Sequence, residues 1–425
     1  MEIYKFGGAS VNSVEAIKNV AAILRNEVRE DTLVVFSAMG KTTNEMEILL
    51  DAFWKDKEEK EDILKKLLAK HLVITQTLFP LMEHPLYDQL KNMFLQLAGD
   101  LKELDFHNYD AAYDTIVSYG ERFSTLIISE YLNNEGINCT ELDARHLIKT
   151  NNHFREGKVD WELTEKLVVS KVKEAFEEGR IVLTQGFISS DKENHTTTLG
   201  REGSDYSAAI FAYCLNAKKI TIWKDVPGVL NADPKFFSHT QKMEYISYSD
   251  ATELAYFGAS IIHPKTIKPL QNKSIPLHVR SFVDPQEKGT WIGLENVVNT
   301  QIPSYIFKAK QVLLSIYPKD FSFIEEESLA SIFSVLVKYN IRVNLMQNSA
   351  LSFSVCVDEC KGEWRKLISD LENQFDFLYN TELELITVRH YTQKVIDSVV
   401  NNRPILLEQR SRNTVQMVIK NGSDI

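Results

Sequence analysis

Residues 2–11, Glu2-Ile3-Tyr4-Lys5-Phe6-Gly7-Gly8-Ala9-Ser10-Val11, pass from a short apolar strand through paired glycines towards an amphipathic helix expected near 13–28. Thr32-Leu33-Val34-Val35-Phe36-Ser37 follows as a continuous apolar run, the pattern of a strand buried on both faces of a parallel sheet. The rhythm returns at Arg180-Ile181-Val182-Leu183-Thr184-Gln185-Gly186-Phe187, with a helix expected near 204–216 and a strand at Lys219-Ile220-Thr221-Ile222-Trp223. Strand, crossover helix and strand repeat as in the α/β class, a mostly parallel sheet sandwiched by helices. In between, residues 44–132 read as mostly helical, and the Lys/Glu-rich stretch at 55–70 as a solvated helix face.

Further along, the pattern changes. A strand at 311–317, a helix at 326–339, a hairpin at 341–347 and 351–357, a helix at 362–374 and a strand at 375–380 make a βαββαβ unit. A second, weaker copy starts at Glu384-Leu385-Ile386-Thr387-Val388 and reads as cut short. The expected domains are therefore 1–300, 301–381 and 382–425, in a chain of 425 residues that exceeds what one core supports.

Lys+Arg 48 against Asp+Glu 59 leaves a net charge of −11. Broad binding to nucleic acid or an anionic membrane needs a basic face, so both are argued against. No run of ~18 apolar residues is present, and Met1-Glu2-Ile3-Tyr4-Lys5 carries no signal-peptide stretch, so a cytoplasmic protein is expected. Of Cys139, Cys214, Cys356 and Cys360, only the last two are close, without a second pair or nearby His, which reads as reduced core thiols.

Four stretches carry chemistry. Lys5 beside Gly7-Gly8 at a strand-to-helix turn suits phosphate, although such a turn is commonly only a turn. Gly40-Lys41-Thr42 imitates the end of a P-loop, but Val35 stands where the first glycine is required, and that reading fails. Thr196-Thr197-Thr198-Leu199-Gly200-Arg201-Glu202-Gly203-Ser204-Asp205-Tyr206-Ser207 offers an Arg to clamp a carboxylate and an Asp to position a cation or a phosphate-binding Lys; Ser204 or Asp205 as a plain helix cap is the other reading. Trp223-Lys224-Asp225-Val226-Pro227-Gly228 follows a buried strand, at the end where α/β sheets bind ligands. In Ser118-Tyr119-Gly120-Glu121-Arg122, a Glu in an apolar helical context needs a partner, with a core ion pair to Arg122 as the plain alternative.

Taken in order, KFGGASV, SYGER, TQGFI, TTTLGREGSDYSA, DVPG and FGASIIHP resemble the aspartate kinases of the amino-acid kinase family, and the tail resembles their paired ACT regulatory domains. The resemblance implies the amino-acid kinase fold and transfer of the ATP γ-phosphoryl group, with Mg2+ held mainly through the nucleotide phosphates, to the β-carboxylate of L-aspartate. In that scheme Lys5 and Asp205 are catalytic. Ser37, Thr43, Glu121, Phe187, Arg201 and Ser204 bind aspartate, and Gly7, Gly8, Ser10, Trp223, Lys224, Asp225 and Lys235 bind the nucleotide, with no protein metal ligand.

The resemblance also implies a homodimer and an amino-acid effector at the ACT interface, where Asn344 and Ala350 stand at positions that are acidic in lysine-responsive members. Departures from the family pattern fall at Ala9, Glu202, Leu230, Lys235 and Ser260, with Lys224 or Lys265 as stand-ins for the lysine missing at Ser260. Those at Glu202, Lys235 and Ser260 support the rival expectation of a catalytically weak amino-acid-binding regulator; against it, Lys5, Glu121, Arg201 and Asp205 are all retained. No G-x-G-x-x-G fingerprint follows the tail, so a fused homoserine dehydrogenase is not expected.

Overall fold

The computed structural model describes residues 1–28, 31–178, 181–259, 262–293, 302–359 and 362–421. The chain divides into two compact units. The first comprises Met1–Val229, Lys242–Thr252 and Ile261–Val298; the second comprises Leu230–Gln241, Glu253–Ser260 and Asn299–Ile425. The boundary expected near 300 lies outside the described residues.

The chain opens with β1 (Glu2–Phe6), α1 (Val14–Glu27) and β2 (Thr32–Phe36). Four helices follow, α2 (Thr42–Trp54), α3 (Lys60–Leu78), α4 (Leu86–Lys102) and α5 (Tyr109–Asn134), and then β3 (Cys139–Leu142). Next come α6 (Trp161–Glu177), β4 (Ile181–Gln185), β5 (Ile188–Ser190), β6 (Thr196–Thr198), α7 (Gly203–Cys214) and β7 (Lys219–Lys224). β8 (Tyr245–Ser247), α8 (Tyr248–Phe257), α9 (Pro264–Asn272), β9 (Leu277–Ser281) and β10 (Thr290–Gly293) complete this stretch.

Eight strands form one sheet in the order β3-β4-β2-β1-β7-β9-β10-β8. Its pairs are parallel except β9 with β10. Every residue of β2 is buried, the both-faces-covered pattern its apolar run implies. α1 starts where Ser13 accepts a hydrogen bond from the Ala16 N–H at 3.2 Å, and it buries Ile17, Val20, Ala21 and Leu24. Cys139, Cys214 and Cys356 are buried free thiols, each pushed up to about 12 by burial; Cys360 lies outside the described residues.

The second unit is a six-stranded antiparallel sheet with helices: β11 (Ser304–Pro318), α10 (Glu326–Lys338), β12 (Val343–Asn348), β13 (Phe353–Asp358), α11 (Glu363–Leu371), β14 (Phe375–Arg389), α12 (Gln393–Val400), β15 (Ile405–Arg410) and β16 (Thr414–Lys420). The strand order is β12-β13-β11-β14-β16-β15.

Here the structure departs from the sequence reading. The strands expected at 311–317 and 375–380 are parts of 15-residue strands, and the 381/382 boundary falls inside β14. The first stretch of β11, Ser304–Lys308, pairs with Leu385–Arg389, while Leu313–Pro318 pairs with Phe375–Asn380. The second copy is thus completed by a strand that precedes the first, and both copies hang from one sheet. Among the described residues, no helix is long and apolar enough to cross a membrane.

Candidate active site

The carboxyl ends of β1, β2, β4 and β7 and the start of α7 open onto a cavity of about 680 Å³, the position where parallel sheets receive ligands. Lys5, buried on β1, places Nζ 2.6 Å from Asp205 Oδ1 in the first turn of α7, and Lys224 at the end of β7 places Nζ 3.5 Å from the other oxygen. Burial alone would raise the Asp205 carboxyl, but the charges of Lys5 and then Lys224 outweigh it and hold it below the ordinary carboxylate value. One anion thus holds two ammonium groups on the cavity wall.

Glu121, inside α5 and 2% exposed, accepts from the Ala38 N–H at 3.4 Å through Oε1, whereas Oε2 is buried without a hydrogen bond. Burial pushes its carboxyl up to about 8, against the pull of nearby N–H groups, the Thr43 side chain and the Lys5 charge. The alternative of an ion pair with Arg122 is not realised, because that guanidinium stacks on Tyr119 at 4.4 Å. A buried carboxylate oxygen with no donor is costly unless a ligand supplies one.

Gly8 allows the β1–α1 turn to lie against the segment after β2: a Cβ there would sit 2.7 Å from the Gly40 carbonyl oxygen and 2.8 Å from that of Ala38. At Gly203 a Cβ would meet the Phe187 ring at 2.6 Å, so the opening of α7 and the turn after β4 interlock only through glycine. Phe187 itself has φ +67, with its N–H donating to Ser207 Oγ at 2.9 Å.

Ten of the residues proposed from sequence line the cavity: Lys5, Gly8, Ser37, Thr43, Glu121, Phe187, Arg201, Ser204, Asp205 and Lys224. Five do not. Gly7 and Ser10 belong to the adjoining turn, where the buried Ser10 Oγ has no hydrogen-bond partner. Asp225 is exposed beyond β7. Lys235 is exposed in the other compact unit.

Trp223 is fully buried, stacked on Phe6 at 5.8 Å and covered by Arg280 at 4.5 Å, so its ring is part of the core. β7 is covered on both faces, and alternation therefore did not reveal which way the indole turns.

Sequence reasoning missed Asn44, Tyr113, Arg155 and Glu156, all on the cavity wall. Arg155 has φ +65 and lays its guanidinium over Tyr113 at 4.1 Å. Its backbone is fixed by Asp114, whose Oδ2 accepts from the N–H groups of Arg155 at 2.8 Å and Thr198 at 2.9 Å. Burial raises that carboxyl to about 6. No motif marks Arg155; its position depends on partners dozens of residues away.

Glu202, also at positive φ (+53), precedes α7 and buries Oε2 without a partner. Lys265, one of the two expected stand-ins, is ion-paired with Glu156 at 3.3 Å, and Ser260 lies outside the described residues. Among the described residues, Asp191, Glu193 and His195 form a cluster with metal-ligand spacing, and none of them lines the cavity.

A model of the amino acid kinase family matches residues 1–281. Lysine-sensitive aspartokinase 3 of Escherichia coli (strain K12) is 29% identical over 357 residues, 84% of this chain and 78% of that protein. Aspartokinase 1, chloroplastic, of Arabidopsis thaliana is 30% identical over 413 residues, 94% of this chain and 70% of that protein. The crystal structure of E. coli aspartokinase III in complex with aspartate and ADP superposes with a TM-score of 0.81 at 26% identity, covering 99% of this chain and 96% of that one. The complex of the same enzyme with lysine and aspartate gives a TM-score of 0.83 at the same identity and coverage.

Proposed function

This chain belongs to the amino acid kinase family and, within it, to the aspartokinases, and from that premise we infer how its cavity transfers the γ-phosphoryl group of ATP to the β-carboxylate of L-aspartate, giving 4-phospho-L-aspartate. The strongest support is one juxtaposition: two lysines held by a single buried aspartate, with a net positive charge, beside a buried glutamate whose Oε2 lacks a donor. The first suits polyphosphate and the second suits an ammonium group, and ATP and aspartate bring both.

In this reading Glu121 Oε2 receives the substrate ammonium. Arg201 takes the α-carboxylate through two parallel hydrogen bonds. Ser37, Thr43 and Ser204 offer hydroxyls around the β-carboxylate, with Phe187 as the wall. Backbone N–H groups at Gly8 and the ammonium groups of Lys5 and Lys224 hold the nucleotide phosphates and offset charge developing on the transferred group. Asp205 positions both lysines. The β-carboxylate is already ionised and serves as nucleophile, so alignment and electrostatics supply the acceleration and no general base is required.

Asp205 has an ammonium group facing each oxygen, an arrangement that fits Mg2+ arriving on the nucleotide phosphates and not in a protein cage. When bound there, the ion neutralises phosphate charge. The C-terminal unit is proposed to carry the homodimer contact and a response to an amino-acid effector. At the two positions expected to matter, Asn344 is engaged by Lys308, Gln311 and Asp358, and Ala350 is exposed.

The test is Mg-ATP-dependent acyl phosphate formation from L-aspartate, trapped with hydroxylamine, with L-glutamate as control and with lysine and threonine added singly and together. Turnover on aspartate and not glutamate is expected. Folded protein that turns over neither would overturn the reading. Sedimentation equilibrium tests the dimer.

A further inference from the structure

The second compact unit holds a cavity of about 470 Å³ that the kinase reaction does not use. One wall is the loop 231–241, closed on itself where Asn231 N–H donates to the Gln241 carbonyl at 2.9 Å and Gln241 N–H donates to Asn231 Oδ1 at 2.7 Å. The loop is tied to the start of β11, because Tyr305 N–H donates to the Asn231 carbonyl at 2.7 Å and Asn231 Nδ2 donates to the Pro303 carbonyl at 2.9 Å. Two aromatic pairs line the cavity across this junction, Phe236 with Phe307 at 4.4 Å and Phe237 with Tyr305 at 5.2 Å. Phe236 nevertheless remains 53% exposed, an unusual state for a phenylalanine already stacked on another ring.

The same cavity contains one ion pair. Arg403 Nη1 donates to Glu384 Oε2 at 2.5 Å, while Nε and Nη2 donate to the Val400 and Val399 carbonyls at the end of α12 at 3.1 and 2.9 Å. Three of the five guanidinium N–H groups are thereby committed, which leaves two for a ligand. The fixed fork faces a carboxylate well, and Glu384 Oε1 is available to an ammonium group. Aromatic walls beside a carboxylate receptor and an ammonium receptor describe an amino acid whose side chain is a ring, and the volume lies within the range of small-ligand sites.

We propose that this cavity binds a free aromatic L-amino acid: its carboxylate on Arg403, its ammonium on Glu384, and its ring against Phe236 and Phe307. The site is separate from the aspartate pocket and does not depend on how that pocket is read.

L-phenylalanine titrated calorimetrically into the full chain, with L-aspartate and ADP saturating, tests it. One molecule is expected to bind per chain. N-acetyl-L-phenylalanine, which lacks the ammonium, and phenethylamine, which lacks the carboxylate, are each expected to bind about tenfold more weakly or worse. Phe236→Ala removes an exposed ring, so the thermal midpoint is expected to hold while affinity falls about tenfold. Arg403→Gln is expected to abolish binding, and because Arg403 also caps α12, the Phe236 variant carries the test if this one fails to fold. Absence of binding at millimolar L-phenylalanine, binding abolished by saturating L-aspartate, or affinity unaltered in Phe236→Ala would each overturn the proposal. So would equal affinity for L-lysine or L-leucine.

Discussion

In the N-terminal unit Lys5 and Lys224 both face Asp205, and Glu121 keeps a buried oxygen without a hydrogen bond. In the C-terminal unit Lys308 donates to Asn344 Oδ1 at 2.7 Å, and the Asn344 amide donates to Gln311 and Asp358 at 2.8 and 2.9 Å. Gln311 donates in turn to Asp358 at 2.8 Å. The first cluster is buried and ends in an acceptor without a donor; the second, half-buried at Lys308, Asn344 and Asp358 around the buried Gln311, closes on itself. A cluster of paired charges alone therefore does not mark a ligand site; what distinguishes one is polar capacity that the protein leaves unused.

Four measurements can break or sharpen that contrast. The largest effect is expected for Lys5→Met, with kcat reduced between about 10²- and 10³-fold, as for loss of one preorganised donor to a developing charge. Near-normal turnover would make Lys5 as structural as Lys308. Arg201→Ala comes next, with KM for aspartate raised about 10- to 100-fold, the weight of a charged hydrogen bond, while KM for ATP stays put. A matching rise in both would mean that Arg201 shapes the cavity and does not clamp the substrate.

The third concerns protons. Unliganded Glu121 titrates near 8, so it is mostly protonated at neutral pH, and an ammonium ligand favours its ionised form. Aspartate binding near pH 7 is therefore expected to release close to one proton per site, fewer above pH 8, and none in Glu121→Gln. Calorimetry in buffers of different ionisation enthalpy reads this directly. The sign for stability follows: the folded value lies above the ordinary 4.5, so the contribution is complete below 4.5 and lost as pH rises through 8. Glu121→Gln should flatten that decline in thermal midpoint. Zero proton release in the parent would place Glu121 with the self-satisfied cluster.

The smallest effect is expected for Lys308→Met, which orphans the Asn344 oxygen at a cost on the order of 1 kcal/mol and leaves kcat unchanged. A fall in kcat would join the two clusters functionally.

Much of this was legible in the residues. β1, α1 and β2 follow from apolar run, glycine pair and helical periodicity, and ten site residues were named from motifs on β1, α2, α5, α7 and β7 and in the turns after β1, β2 and β4 and before α7. What was hidden depends on long-range geometry. Arg155 reaches the cavity because Asp114 and Thr198 fix a backbone at positive φ, which no local pattern announces. Only 311–317 of β11 was legible and β14 looked like two short strands, because the middles, Lys308-Ala309-Lys310-Gln311 and Asn380-Thr381-Glu382, are polar and irregular. Lys310 and Glu382 have positive φ, and the register shifts around Gln311. The alternation that signals a strand is interrupted there while the strand itself continues.

The shared strands also govern how the tail must be made. Ser304 is synthesised early, yet its partner Arg389 emerges only after all of the first copy, so the second copy is a high-contact-order assembly that closes last. A gene split at 381/382 would sever β14 and leave Ser304–Lys308 as an open edge in the upstream fragment, prone to pairing between molecules. The residues that look in sequence like an interdomain joint are, for the translating ribosome, the point before which this half of the protein has no finished sheet.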